Sequence, residues 1–175
     1  MMDECFYSII IPNYSDISIN QIIFRAKQIN DAEIIVIESG KPVLDDEHKD
    51  KIKYKFFEKR LMPGGARNEG AKLAKGKYIL FLDSDVMLTR QTLEFLNGSR
   101  KYFGEEIVFG CYTRDEGPTI FSKFQNNLLH HRFVTIFKQQ PLAYGQSSHF
   151  IIRRDIFNKV GRFNPLLRMR EDTEF

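Results

Sequence analysis

GGARNEGAKLAKGKYILFLDSD, residues Gly64 to Asp85, takes the chain from a glycine-rich, arginine-bearing turn through a helix into an apolar strand that ends on two carboxylates. With Pro63 before them, the two glycines read as a breaker. A helix is expected from about Ala66 to Ala74, stopped by Gly76 in a C′-like position. Lys77–Leu82 (KYILFL) is then a strand of the fully buried type. Asp83 and Asp85 fall where such a strand surfaces, and a carboxylate is costly to bury unpaired. The two can share one small volume only with a cation between them or with good hydration.

Outward from this stretch the pattern alternates. Tyr7–Ile11 (YSIII) is a short buried strand closed by Pro12, and Ser18 to Ile29 repeats apolar residues at helical spacing behind a Ser able to cap it. Glu33–Ile37 (EIIVI) is a second buried strand, followed by a Ser39-Gly40 turn, and Ile52–Phe57 alternates like a half-exposed strand. Thr89–Phe103 reads as a helix, Ile107–Tyr112 as a strand, Ser148–Arg153 as a late strand and Asp155–Val160 as a short helix before Gly161. Apolar strands separated by helices predict an α/β domain with a mainly parallel sheet covered on both faces. Ligands of such sheets bind beyond the carboxyl ends of the strands. Those ends carry Pro12-Asn13-Tyr14, Glu38-Ser39-Gly40 and Asp83-Ser84-Asp85.

Bulk properties narrow the function classes. The 175 residues suit one domain with one core, and 42% hydrophobic with 28% charged residues is ordinary for a soluble protein. A net charge of +3 is too small to imply a nucleic-acid partner. Six basic residues cluster late (Arg153, Arg154, Lys159, Arg162, Arg168 and Arg170), as a solvated face or an attraction to an anionic ligand or acidic membrane surface. Cys5 and Cys111 are too few for a disulfide framework, no run is long and apolar enough to span a bilayer, and MMDECFYSII lacks the basic start of a signal peptide. A cytoplasmic protein is expected.

Familiar phosphate motifs are missing. Gly64, Gly65 and Gly70 have the wrong spacing for G-x-G-x-x-G, and Gly76-Lys77 opens a strand rather than a P-loop. His130 and His131 are adjacent and have no Cys/His partners at zinc spacing. Asp83-Ser84-Asp85 alone is weak, since eleven Asp would give such a pattern about 0.7 times per chain by chance. Its position at the end of a buried strand gives it weight. Two hard oxygen ligands on one turn suit Mg²⁺ or Mn²⁺, which take one or two carboxylates together with substrate phosphates.

At this point Ser8-Ile9-Ile10-Ile11-Pro12-Asn13-Tyr14, Gly65-Ala66-Arg67-Asn68-Glu69-Gly70 and Gly76–Asp85 together resemble the family 2 glycosyltransferases of GT-A fold. Val160-Gly161-Arg162-Phe163-Asn164 followed by Glu171-Asp172 is similar to that family's GxF…ED ending. The blocks occur in the family's order over nearly the whole chain. The resemblance implies transfer of a sugar from a nucleotide-sugar donor, UDP-linked by preference, to a hydroxyl of a glycan, lipid-linked or other acceptor, with inversion, in surface polysaccharide or glycan synthesis. By the family's pattern Asp83 and Asp85 hold Mg²⁺ or Mn²⁺, while Pro12, Tyr14, Glu38, Arg67, Asp83 and Glu171 lie at the substrates. Asp172 is the base. A carboxylate with a pKa near 4 takes the acceptor proton as the new bond forms rather than before it.

Residues 1–112 would form the nucleotide-sugar half and residues 113–175 an incomplete acceptor-side portion of one domain. Tyr144 to His149 would approach the sugar, and the aromatic tract Phe121 to Phe137 would pack a core or line an acceptor groove. Two departures stand out. Glu38-Ser39 replaces the family's pair of acidic residues after the second strand, which opens the choice of nucleotide. The sequence stops three residues after Asp172, so either a C-terminal truncation or an unusually short domain is expected. The alternative function is a non-catalytic nucleotide- and metal-binding fragment. A nucleotidyltransferase is a weaker alternative, because Pro12-Asn13-Tyr14 stands where that class needs a glycine-rich loop.

Overall fold

A computed structural model describes residues 5–49, 51–98, 107–109, 119–120, 123, 131 and 148–168. Its elements run β1 (Tyr7–Tyr14), α1 (Ile19–Ala26), β2 (Ala32–Ser39), α2 (Asp46–Lys49), β3 (Lys53–Phe57), α3 (Pro63–Leu73), β4 (Tyr78–Leu82), α4 (Arg90–Gly98), β5 (Ile107–Phe109), β6 (His149–Arg153) and α5 (Arg154–Val160). The chain divides into a larger unit, Met1–Val108 with Gln146–Phe175, and a smaller one, Phe109–Gly145. Within the smaller unit the Lys123 N–H donates to the Thr119 carbonyl at 3.0 Å, one turn of helical spacing.

The strands order as β3-β2-β1-β4-β6-β5. β1 lies between β2 and β4 and runs parallel to both, and β2 is parallel to β3. Only β6 is registered antiparallel among the described pairings, from Tyr78↔Arg153 to Leu82↔His149. The expected mainly parallel α/β sheet is what the chain forms. Central strands buried on both faces need apolar residues at odd and even positions alike, which SIII, IIVI and YILFL supply.

Each face has its own packing. On one, Tyr7, Ile9 and Ile11 of β1 and Leu80 and Leu82 of β4 meet Ile19, Ile22, Ile23 and Ala26 of α1 and Leu93 and Leu96 of α4. The other carries an aromatic group in which the Phe81 ring lies 4.9 Å from Phe150, 5.3 Å from Phe157 and 5.5 Å from Phe163. Late residues thus pack onto the middle of the sheet. No helix among the described residues is long and apolar enough to cross a membrane.

Four local expectations need correction. β1 continues through Pro12 to Tyr14. Its pairing with β4 stops at Ile10↔Phe81, so Pro12 has an open flank where a missing N–H costs little. Ser18 does not cap α1 with its side chain: its own backbone is helical (φ −60°, ψ −16°), whereas side-chain capping uses an extended residue. Helix α3 starts at Pro63, a favoured first position, so Gly64 and Gly65 lie inside its first turn. Gly76 is not a helix cap, because α3 ends at Leu73 and Ala74 is already extended. A Cβ at Gly76 would stand 2.5 Å from Ser8 N and 2.6 Å from Tyr7 C, so glycine is needed there for close passage over β1.

Candidate active site

The carboxyl ends of β1, β2 and β4 present the polar residues singled out above. Past β4 the chain turns tightly, with the Val86 N–H on the Asp83 carbonyl at 3.1 Å. The Asp83 N–H donates to the Ser148 carbonyl at 2.8 Å, pinning the turn to the start of β6. Ser84 is buried and its hydroxyl reaches Asp16 Oδ2 at 3.4 Å. The turn therefore has a fixed shape, and it presents its two aspartates differently.

Arg67 is the cation for one of them. It is buried in α3, and its Nη2 donates to Asp83 Oδ1 at 2.7 Å. The guanidinium also lies over the Phe163 ring, 5.6 Å from its centroid. Asp83 is partly exposed and Asp85 is exposed. Asp83 thus has a protein cation beside it, while Asp85 is open to solvent.

At the end of β2, Glu38 has no solvent exposure. Its Oε1 accepts the Asn13 amide at 2.9 Å and the Val43 N–H at 3.1 Å, and its Oε2 accepts the Tyr54 hydroxyl at 2.6 Å. Burial, then the neighbouring Glu38 carboxylate, pushes the Tyr54 phenol well above its usual range, so this hydroxyl stays a donor. Asn13 also accepts the Asp16 N–H at 3.2 Å, linking β1 to the loop under Ser84. Glu38 ties the end of β2 to Asn13 of β1, to Tyr54 of β3 and to the loop at Val43.

Tyr14 is half-exposed, with the Arg60 guanidinium 4.2 Å above its ring, a cation–π contact at the lip of the sheet. Pro12 is half-buried beside it in sequence. Gly40 closes against Tyr14 and Ser15: at φ +87° it holds a left-handed backbone, and a Cβ there would come within 2.8 Å of both side chains. Arg67 and Asp83 are therefore in direct contact, while Glu38 joins Asn13 and Tyr54. Glu171, Asp172, Tyr144 to Ser147, nearly all of Phe121 to Phe137, Cys111, Arg170 and the outer ends of two expected elements lie outside the described residues.

Sequence reasoning gave no role of their own to Asn13, Tyr54 and Asn68. Asn13 had a readable signal, a polar side chain closing an otherwise apolar strand. Tyr54 and Asn68 had none, since their partners are far away in the chain.

The residues fit a divalent cation in one respect. Among the described residues no three His, Cys, Asp or Glu side chains gather into a cage. What stands ready is an exposed carboxylate on a fixed turn, Asp85, beside an aspartate already balanced by Arg67. Hard, highly hydrated Mg²⁺ or Mn²⁺ suits such a sparse donor set when substrate phosphates complete it.

Residues 8–161 match the model of glycosyl transferase family 2, and the chain belongs to that family. It is 27% identical over 119 residues to the poly(ribitol-phosphate) beta-N-acetylglucosaminyltransferase TarP of Staphylococcus aureus, covering 60% of this chain and 36% of that protein. Its fold is similar to residues 1-349 of S. aureus TarS in complex with UDP-GlcNAc, with a TM-score of 0.69, 20% identity, and coverage of 96% of this chain and 51% of that TarS fragment. It is also similar to the mannosyltransferase PcManGT of Pyrobaculum calidifontis in complex with GDP-Man and Mn²⁺ (TM-score 0.65, 13% identity, 98% and 51% covered). The fold is thus of the GT-A type. The chain spans about half the length of these solved relatives, and less of TarP.

Proposed function

We propose that this chain binds a nucleotide sugar across the carboxyl edge of its sheet and transfers the sugar, with inversion, to an acceptor hydroxyl. The observation that carries the reading is the turn after β4, with Asp83 neutralised by buried Arg67 and Asp85 left exposed on the same fixed loop. Breaking the bond between the anomeric carbon and the diphosphate builds negative charge on the leaving group. A Mg²⁺ or Mn²⁺ held by Asp85, with Asp83 beside it, would supply positive charge there.

The chain's own residues do the rest. Arg67 balances and aims Asp83, Pro12 and Tyr14 bound the nucleotide, and Glu38 fixes the loop beneath it. Glu171 meets substrate, and Asp172 takes the acceptor proton as the new bond forms. A UDP sugar is the first donor to try, since the similar TarS was solved with UDP-GlcNAc and TarP is an N-acetylglucosaminyltransferase. The acceptor would be a glycan or lipid-linked hydroxyl in surface polysaccharide synthesis. It would be met in the cytoplasm at the inner membrane face, where the late basic run suits an acidic surface.

Melting curves with UDP, GDP and TDP, each with and without Mn²⁺, test the donor site. A ligand at a hundred times its dissociation constant stabilises by about 2.7 kcal/mol. The expected result is a shift with UDP that requires Mn²⁺, followed by UDP release when UDP-GlcNAc is supplied, with water taking the sugar as free GlcNAc where no other acceptor hydroxyl is present. Binding without release would favour the non-catalytic alternative, and no shift with any nucleotide would remove the donor site altogether.

A further inference from the structure

Asn68 pairs both the nitrogen and the oxygen of its amide with one backbone position. Its Nδ2 donates to the Phe163 carbonyl at 2.7 Å, its Oδ1 accepts the Phe163 N–H at 3.1 Å, and both bonds are buried. Phe163 is the only buried residue of the segment 161–168, so this pair is where that segment is anchored. Two weaker contacts from the same helix support it: Arg67 over the Phe163 ring, and Gly65, whose Cβ position lies 3.6 Å from Pro165.

Arg67 and Asn68 are consecutive, yet they hold different parts of the molecule. Arg67 grips Asp83 at the end of β4. Asn68 grips a backbone position 95 residues away in sequence, eight residues before Glu171 and nine before Asp172. One turn of α3 therefore fixes both the aspartate of the donor side and the segment leading to the Glu-Asp pair.

We propose that Asn68 is a positioning residue of the transfer reaction, setting the segment that leads to Glu171-Asp172 in register with Asp83. The proposal rests on the transferase reading above. A side chain that pairs with a peptide's N–H and C=O together fixes both its place and its orientation, as one rung of a sheet does. Transfer chemistry is sensitive to such placement, and a 1 Å displacement of reacting groups can cost about a hundredfold in rate. Nucleotide binding is not expected to share that sensitivity, because Arg67 meets Asp83 side chain to side chain and the ends of β1 and β2 are joined through Asn13 and Glu38.

Asn68→Asp tests this with almost no change of shape. The carboxylate still accepts the Phe163 N–H but has no donor for the Phe163 carbonyl and repels it. Affinity for UDP with Mn²⁺ should stay within about threefold of the parent, while kcat for UDP release from UDP-GlcNAc falls on the order of a hundredfold. Equal loss of binding and turnover would make Asn68 part of the donor fold only and overturn the proposal, as would unchanged turnover. A parent chain that binds UDP without releasing it from UDP-GlcNAc would overturn the transferase reading, and this inference with it. If Asn68→Asp does not fold, amide exchange in the parent decides. The Phe163 N–H must exchange as slowly as the amides of β4, and exchange at the rate of the Leu166 and Arg168 turn amides would show the anchor to be open and end the proposal.

Discussion

Glu38 and Asp85 both close parallel strands at the carboxyl edge of one sheet, Glu38 within β2 and Asp85 three residues past β4. Glu38 has no exposure and three donors on its carboxylate, whereas Asp85 stands in water. The first is a structural acid. Its burial cost is offset by Asn13, Val43 and Tyr54, and the result is a fixed set of strand ends. The second keeps its charge and hydration and can exchange water for a ligand. Asp83 stands between the two cases, partly exposed and held by Arg67. Position at a strand end does not make a carboxylate functional. What separates these groups is how many protein donors have already claimed the oxygens.

Replacing each acid by alanine breaks the comparison most directly. For Asp85→Ala we expect the largest effect, on turnover and not on stability. Removal of one preorganised electrostatic partner costs about 10²–10³ in kcat, while an exposed substitution shifts stability by no more than about 0.5 kcal/mol. UDP-release rates and melting temperatures on one preparation measure both. A large drop in melting temperature with Asp85→Ala would mean that its exposure is misleading.

Glu38→Ala should do the reverse. It strands the Tyr54 hydroxyl, the Asn13 amide and the Val43 N–H, at a cost of about 3 kcal/mol. For a chain of this size that lowers the melting temperature by roughly 6–12 °C. Differential scanning calorimetry reads it, and a variant as stable as the parent would return Glu38 to the group of ligand-facing acids.

The same contrast marks how far the sequence could be read. The α/β class, the parallel strands and the polar residues at their carboxyl ends were legible because they depend on local apolar runs such as YILFL and on where those runs stop. Pro12 and Gly76 were misread for one reason. Their roles are set by a neighbouring strand, the open flank beside β1 in one case and the backbone of Tyr7 and Ser8 in the other. Arg67 stood out in the sequence as a candidate but not as the partner of Asp83, and Asn68 appeared only inside a matched block, with no role of its own. Partners 16 and 95 residues away leave no periodic trace. The four-residue helix α2, in which no residue is fully buried, has no apolar pattern to announce it.

Glu33, at the amino edge of the same strand β2, sharpens the comparison at lower amplitude. Its Oε1 accepts the Ser8 hydroxyl at 2.6 Å and the Lys75 N–H at 2.5 Å, and Lys53 pairs with its other oxygen. Burial alone would raise this carboxyl, but the bonds from Lys53, Ser8 and Lys75 outweigh it and hold the group below its ordinary value of 4.5. A folded pKa below the unfolded one means that the stabilisation is fully present above about pH 4.5 and is lost as pH falls through the folded value. Glu33→Gln should therefore cost about 1 kcal/mol at pH 7. The gap to the parent should then narrow as the pH is lowered from about 5 toward 3. Urea unfolding across that range measures it. A gap that stays constant would mean that the bracket works through shape and neutral hydrogen bonding rather than through charge. In that case the protein's closed acids would differ from Asp85 in geometry and burial alone.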